Sequence, residues 1–409
     1  MDVSHTYGRV EYHCGLNMEA VRITDNIYWV GAIDWNVRNF HGYTTPRGST
    51  YNAYLITGER NILIDTVKRP FYEQLVSRIS SVIDPKSIDL IVSNHVEMDH
   101  SSSLSMVQDL TGAKILASRK GKEGLAMHFP NLRVEEVTDG QEIRCGGKTL
   151  RFVDTPMLHW PDSMFTYVEE DKLLFSMDAF GQHYATSARF DDEVDQAVLM
   201  QEAAKYYANI ILPFGPRVLK TLEKVKDLDI RILATSHGVV WRANVASIVD
   251  LYHRWANGET REKAVVVYDT MWGSTQIMAE EIANGIAAQG VEVEVLKLTE
   301  TDRSWVIKEI LDARAVVVGT PTLNNTVFPT VADMVYYMKG LRPKGRIGAT
   351  FGSYGWSGGA VKAVREQMQL SGMELPFEDL QVQYIPHADG RKRCYDLGVE
   401  IGRKVKGSQ

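Results

Sequence analysis

The chain has 409 residues, 44% of them hydrophobic and 24% charged, enough for two or three globular domains with cores of their own. A formal net charge of −7 offers no basic face to a polyanion, which excludes nucleic-acid binding as a function. No apolar run approaches a membrane span, and three scattered cysteines (Cys14, Cys145, Cys394) encode neither a disulfide framework nor a cysteine-ligated iron site, pointing to a reducing cytoplasm.

Residues 1–20 read as an N-terminal extension. They lack the apolar core of a signal peptide, and His5, His13 and Cys14 are read as tail residues rather than ligands. From Ile27 to about Glu170 strands dominate: Ile27-Tyr-Trp-Val30, Thr50-Tyr-Asn-Ala-Tyr-Leu-Ile56, Asn61-Ile-Leu-Ile-Asp65, Lys114-Ile-Leu116, Thr149-Leu-Arg-Phe-Val153 and Met164-Phe-Thr-Tyr-Val168. Helical spacing interrupts them at 71–83 and 101–110, and returns at 197–209 before a strand at 230–236. Strands with helices packed outside predict two mixed sheets face to face, a helix-flanked αββα sandwich over 21–258. The polar stretch Asn257-Gly-Glu-Thr-Arg-Glu-Lys263 reads as a linker. From residue 264 strands and helices alternate strictly: strands at 264–268, 291–298, 313–318 and 346–351, helices at 277–288, 305–312, 331–338 and 360–370. That order predicts a doubly wound parallel sheet over 264–409.

The chemistry is concentrated in His95-Val96-Glu97-Met98-Asp99-His100, set between the buried strand Asp89-Leu-Ile-Val-Ser93 and a helical stretch. A turn can point the first, third, fifth and sixth side chains inward, and all four are metal-ligand types that suit iron, manganese or zinc. Three further strand ends each offer one more ligand: His159 in Met157-Leu-His-Trp-Pro-Asp162, Asp178 in Phe175-Ser-Met-Asp178, and His237 in Thr235-Ser-His237. Seven ligands are too many for one ion and enough for two. Glu97, Asp99 and Asp178 carry −3 against +4 for two divalent ions, and Asp178, isolated on its own segment, is the candidate bridge.

This constellation resembles the metallo-β-lactamase superfamily, whose hydrolases carry H-x-H-x-D-H at the hexad. Here Glu97 replaces the second His; a third carboxylate hardens the site and favours iron over zinc. That Glu is similar to the mark of the flavodiiron proteins (A-type flavoproteins). Trp29 to Tyr54, Leu158-His-Trp-Pro-Asp-Ser-Met164 and Asp178-Ala-Phe-Gly-Gln-His183 resemble them too. The resemblance implies that His95, Glu97 and His159 hold one iron and Asp99, His100 and His237 the other, with Asp178 between. His100 is the member that need not reach the metal. His183 is expected beside the ligands rather than among them, His41 in the pocket or in packing, and His128, His253 and His387 at the surface or in structural roles.

In the second half, Thr270-Met271-Trp272-Gly273-Ser274-Thr275 joins the first strand to its helix and offers N–H groups, hydroxyls and a helix N-terminus to a phosphate, with no Lys or Arg. It is neither the dinucleotide fingerprint nor the P-loop pattern. Two later strand ends, Pro321-Thr322-Leu323-Asn324-Asn325 and Ser353-Tyr354-Gly355-Trp356-Ser357-Gly358-Gly359, should meet it at one sheet edge, with Tyr354 and Trp356 able to cover a flavin ring. This half resembles flavodoxin, which implies FMN.

The combined resemblance implies an oxidoreductase that reduces O2 to water and/or NO to N2O at two irons, with electrons relayed by FMN. It also implies a head-to-tail homodimer or dimer of dimers, since the flavin loops and metal segments lie on separate halves. With no cysteine pairs for a rubredoxin, an external donor is expected, either a rubredoxin-type protein or reduced coenzyme F420. Two other classes stay open: a zinc hydrolase of the glyoxalase II type fused to a flavodoxin, and a non-catalytic electron carrier.

Overall fold

The computed structural model describes residues 18–145 and 147–407. His5, His13 and Cys14 of the expected extension lie outside the described residues. A seven-stranded sheet runs in the order 21–22, 27–29, 54–56, 61–64, 88–93, 114–118, 134–137, and a five-stranded sheet in the order 142–145, 148–154, 164–168, 173–177, 232–235. Strand alternation decides what each face buries. Tyr54, Ile56, Ile62, Ile64 and Val92 point toward Phe152, Met164 and Phe175 of the opposite sheet. Their neighbours Leu55, Leu63, Ile91 and Ile115 point the other way, onto the helices Tyr72–Ser80, Leu104–Thr111 and Arg119–His128. The outer face of the five-stranded sheet is covered by the helices Gln196–Tyr206, Gly215–Val225 and Val245–Ala256. This is the αββα sandwich expected.

In the second half all five principal strands pair in parallel, in the order Glu292–Lys297, Arg261–Tyr268, Ala313–Leu323, Ile347–Tyr354, Leu380–Gln383. Ala264, Val266, Ala315 and Val317 face the helices Ser274–Ala287 and Ala388–Gly407. Val265, Val267, Val316 and Val318 face the opposite way and join the apolar cluster that also covers the five-stranded sheet. One continuous core therefore ties the two halves together.

Four of the predicted elements differ in extent from the sequence reading, and the helices Arg119–His128, Gly215–Val225, Val245–Ala256 and Ala388–Gly407 are not predicted by it. The strand expected from residue 264 begins at Arg261, inside the stretch read as a linker. Arg261 pairs with Glu292 and Asp312 at the surface, and Lys263 is buried against Glu309, so these charges are held in ion pairs at the start of the strand. Gly319 to Leu323, read as a loop, continues the third strand and folds back on Thr326–Val327. The helix expected at 101–110 is broken into Met98–Ser101 and Leu104–Thr111. The helix expected over 197–209 stops at Tyr206 and widens into a π-type turn, Tyr207–Ile211. Widened turns of this kind often sit at functional sites, and this one delivers Asn209 to a pocket walled by both halves of the chain.

Candidate metal centre and flavin cradle

The strand Ile88–Ser93 ends at the sheet edge, and Asn94 fixes the direction of the turn beyond it. Its N–H donates to Asp65 Oδ1 at 2.7 Å and its side-chain amide to Asp65 Oδ2 at 2.9 Å. The chain then turns through His95 and Glu97 into a single helical turn that carries Asp99 and His100. Gly124 lets the neighbouring helix approach this turn, because a Cβ there would lie 3.3 Å from Val96. Asp178 follows the strand Leu173–Met177, and His237 follows the parallel strand Ile232–Thr235 beside it. His159 comes from the turn after Lys148–Asp154. All seven ligand candidates converge, and six of them are buried, with His159 half-buried.

They form two groups. His95, Glu97, His159 and Asp178 offer donor atoms within 4.8 Å of one another, as do Asp99, His100 and His237. Asp178 faces both: its Oδ2 lies 2.9 Å from His159 Nε2 and 3.6 Å from His95 Nε2, and its Oδ1 lies 3.1 Å from His100 Nε2 and 3.4 Å from His237 Nε2. Both oxygens of Asp99, both ring nitrogens of His100 and Oδ1 of Asp178 are buried without a hydrogen-bond partner. Buried polar atoms left unpaired are costly, and a pair of metal ions would satisfy the carboxylate oxygens and Nε2 of His100, the ring nitrogen that faces Asp99 and Asp178. The donor set of imidazoles and carboxylates without thiolate fits iron.

The partners of the ligands were not assigned from sequence. His95 Nδ1 donates to Asp162 Oδ2 at 2.9 Å, and the Val96 N–H binds the same oxygen at 2.8 Å. His237 Nδ1 donates to the Thr50 carbonyl at 2.6 Å. Each contact turns Nε2 of the ring toward the cluster and fixes its tautomer. Asp162 closes the same turn that carries His159; an acid next to a proline there is the signal the sequence offers for it.

Burial pulls the His95 imidazole down, but the Asp162 and Glu97 carboxylates outweigh it and hold it well above its ordinary value. His100, against the same burial, is raised to about 9 by Asp99 and Asp178. Burial raises Glu97 and Asp178, yet the surrounding imidazoles hold both carboxyls below their usual range. Ions bound here displace those imidazole protons, so their binding weakens as pH falls.

A cavity of about 200 Å³ opens over this cluster. Its walls include Phe40, Tyr43, Tyr206 and Asn209, and also Tyr337 from the second half of the chain. His41, left between two roles by the sequence, stands at the mouth with Nε2 2.6 Å from Glu97 Oε1. His183 is buried beside the ligands: its nitrogens meet Ser49 Oγ at 2.8 Å and the Tyr43 hydroxyl at 2.7 Å, and burial with the adjacent His237 holds it well below its ordinary value. His128, His253 and His387 are exposed.

The three loops of the second half meet at the carboxyl edge of the parallel sheet around a cavity of about 530 Å³. Thr270, Met271, Trp272, Ser274, the segment from Pro321 to Asn325, and Ser353 to Ser357 line it together with Tyr384, which the sequence reading missed. Gly273, Thr275, Gly358 and Gly359, expected at the site, are not among the lining residues. Gly273 turns the chain at φ 85° into its helix, and the buried Thr275 hydroxyl ties to Ser353 Oγ at 2.9 Å. Trp356, expected over the ring, stands 88% exposed at the rim, opposite Trp272 at 94%. The cradle has hydroxyls, backbone N–H groups at a helix start and aromatic edges, which fits a flavin mononucleotide.

Comparison with known proteins bears on the family and the fold. A model described as ODP family beta lactamase matches residues 50–238, and one described as flavodoxin matches residues 266–398. A nitric oxide reductase of Moorella thermoacetica is 46% identical, covering 95% of this chain and 99% of that protein. A coenzyme F420H(2) oxidase of Methanothermobacter marburgensis is 40% identical, with 95% and 99% covered. Among solved structures, rubredoxin oxygen:oxidoreductase from Desulfovibrio gigas superposes with a TM-score of 0.93 at 37% identity, covering 95% of this chain and 99% of that one. The flavodiiron protein from Giardia intestinalis gives 0.93 at 36% identity, covering 95% and 97%. Alike over nearly its whole length in sequence and fold, this chain belongs to the flavodiiron proteins.

Proposed function

We propose that the protein reduces O2 to water or NO to N2O at a pair of irons, with electrons delivered through FMN. The observation that carries this reading is the sharing of Asp178, one carboxylate oxygen toward each group of ligands. In it His95, Glu97 and His159 hold one iron, Asp99, His100 and His237 the other, and Asp178 both. When bound, the irons supply reversible one-electron storage, and FMN accepts electrons in pairs and passes them singly.

The chain's own residues do the rest. Asp162 and the Thr50 carbonyl orient His95 and His237. The cavity over the cluster, about 200 Å³, has space for roughly six waters' volume at ~30 Å³ each, ample for a diatomic gas. Complete reduction of O2 consumes four electrons and four protons and gives two waters; two NO consume two electrons and two protons and give N2O and one water. Comparing anaerobic turnover of the iron- and flavin-loaded protein with O2 and with NO tests the reading. Reoxidation by neither gas, or stoichiometric zinc in place of iron, overturns it; Glu97 speaks against the zinc hydrolase.

The electron donor in this reading is external, a rubredoxin-type protein or reduced coenzyme F420, the two donors that the names of the relatives carry. We further assign a head-to-tail homodimer or dimer of dimers. Its support is a pair of apolar rims, Trp272, Trp356 and Tyr384 around the flavin cradle and Trp35, Met98 and Trp160 on the metal half, all exposed in the single chain. Exposed apolar groups that cluster, as Trp272, Trp356 and Tyr384 do, mark interaction sites. A charged substitution on the rim of the metal half, Trp35→Glu, which lies outside both cavities, is expected to give a monomer that keeps iron and FMN while losing donor-driven turnover. A fully active monomer, established by sedimentation, refutes the arrangement. Among the described residues no helix is long and apolar enough to cross a membrane, and the scattered cysteines support a cytoplasmic protein.

A further inference from the structure

We infer that Arg303, on the second half of the chain, is a positioning residue for the metal pocket of its own chain, because it holds the hairpin that carries His41 onto Glu97. The inference rests on the diiron reading only for what the pocket contains.

The hairpin pairs Asn39–Phe40 with Tyr43–Thr44 across the two-residue turn His41-Gly42. Both turn residues have positive φ, 50° and 87°, as the tight turns that suit strand twist require. Strands of two residues cannot hold themselves in water, so the hairpin lies where its anchors put it. Over the metal site it presents three side chains: the Phe40 ring 4.8 Å from that of His183, the Tyr43 hydroxyl on His183, and His41 on Glu97.

The anchors of its tip come mainly from the first turn of the helix Arg303–Ile310. Arg303 Nε and Nη2 donate to the Gly42 carbonyl at 3.1 and 2.5 Å. The Thr44 hydroxyl donates to Asp302 Oδ1 at 2.7 Å and its N–H to Ser304 Oγ at 2.9 Å. From the first half, Lys205 Nζ donates to the Thr44 carbonyl at 2.8 Å. Gly42 is needed twice, for its φ and because a Cβ would lie 2.9 Å from Arg303 Nη2. Arg303 is itself fixed, by an ion pair with Asp333 and by packing its guanidinium 4.7 Å from the centre of the Tyr337 ring. Tyr337 in turn reaches Asn209 Oδ1 with its hydroxyl at 2.8 Å, and both line the pocket. The guanidinium thus links the pocket's roof to its wall.

Hydrogen–deuterium exchange and iron release to ferrozine from the reduced, iron- and FMN-loaded protein test this. In Arg303→Ala, exchange at residues 39–44 and the rate of iron release are each expected to rise about tenfold, as loss of charge-assisted hydrogen bonds worth roughly one decade implies. Iron and FMN content at the start should equal wild type, and Arg303→Lys should restore part of both effects. Thr44→Val, which leaves the second half untouched, should raise exchange over the same residues by less. Unchanged protection of residues 39–44 in Arg303→Ala, or a uniform rise over the whole chain, overturns the inference. If wild type holds no iron, the diiron reading fails, while the exchange result still decides the role of Arg303.

Discussion

Replacing Asp178 by alanine is expected to empty both iron positions and to lower turnover at least about a thousandfold, a loss of ~4 kcal/mol of the several that a bound ion contributes to a transition state. The reason is its position rather than its charge. Every other ligand candidate belongs to one group, so its loss leaves the second group complete, whereas Asp178 gives one oxygen to each. The substitution also leaves His95, His100, His159 and His237 without the carboxylate they share. FMN content should be unaffected, since the cradle lies on the other half. Iron analysis beside flavin absorbance checks this; retention of one iron per chain would show that Asp178 serves a single ion.

Glu97→His restores the hydrolase pattern at the hexad and is expected to exchange iron for zinc. Glu97 lies between three imidazoles, with Oε2 3.2 Å from His95 Nε2 and 3.4 Å from His159 Nε2, and Oε1 on His41. A histidine there removes one negative charge of three and crowds a fourth imidazole among these rings. Oxygen and nitric oxide reduction should fall roughly a hundredfold or more, since even the outer partners of metal ligands are worth about 10–100-fold. Metal analysis after growth with both metals, followed by turnover of iron-reconstituted protein, reads the two parts separately. Wild-type iron content with wild-type turnover would remove Glu97 from its assigned role.

Much of this centre was legible in the sequence because metal ligands are few in type and these stand at strand ends, where the chain leaves the sheet. The hexad, His159, Asp178 and His237 could be found without knowing how the sheets are ordered. What walls the pocket was not legible. Tyr337 reaches it from the other half of the chain, and Asn209 faces it only because the helix before it widens into a π-type turn, which the 3.6-residue period does not forecast. The strand Ala313–Leu323 runs through Pro321, a residue type that argues against strand interiors. The helix Ala388–Gly407 went unread although Cys394, Leu397, Ile401 and Val405 recur at helical spacing. Its glycines weaken the local preference, yet Gly398 is there for contact: a Cβ would lie 2.1 Å from the Ile282 carbonyl of the facing helix.

The flavin cradle has a consequence for how tightly the cofactor is held. None of the residues lining it is lysine or arginine, so the phosphate of a bound flavin would meet neutral N–H and O–H dipoles and the end of the helix Ser274–Ala287. Dissolved ions screen pairs of opposite full charges, and over about 8 Å at physiological ionic strength they do so strongly at exposed sites. With no cation in the lining, the helix end is the element that salt screens, so flavin affinity should fall less between dilute buffer and molar potassium chloride than that of a ligand held by lysine or arginine. The cofactor would then stay on its protein through swings in cellular salt that strip charge-held ligands from theirs.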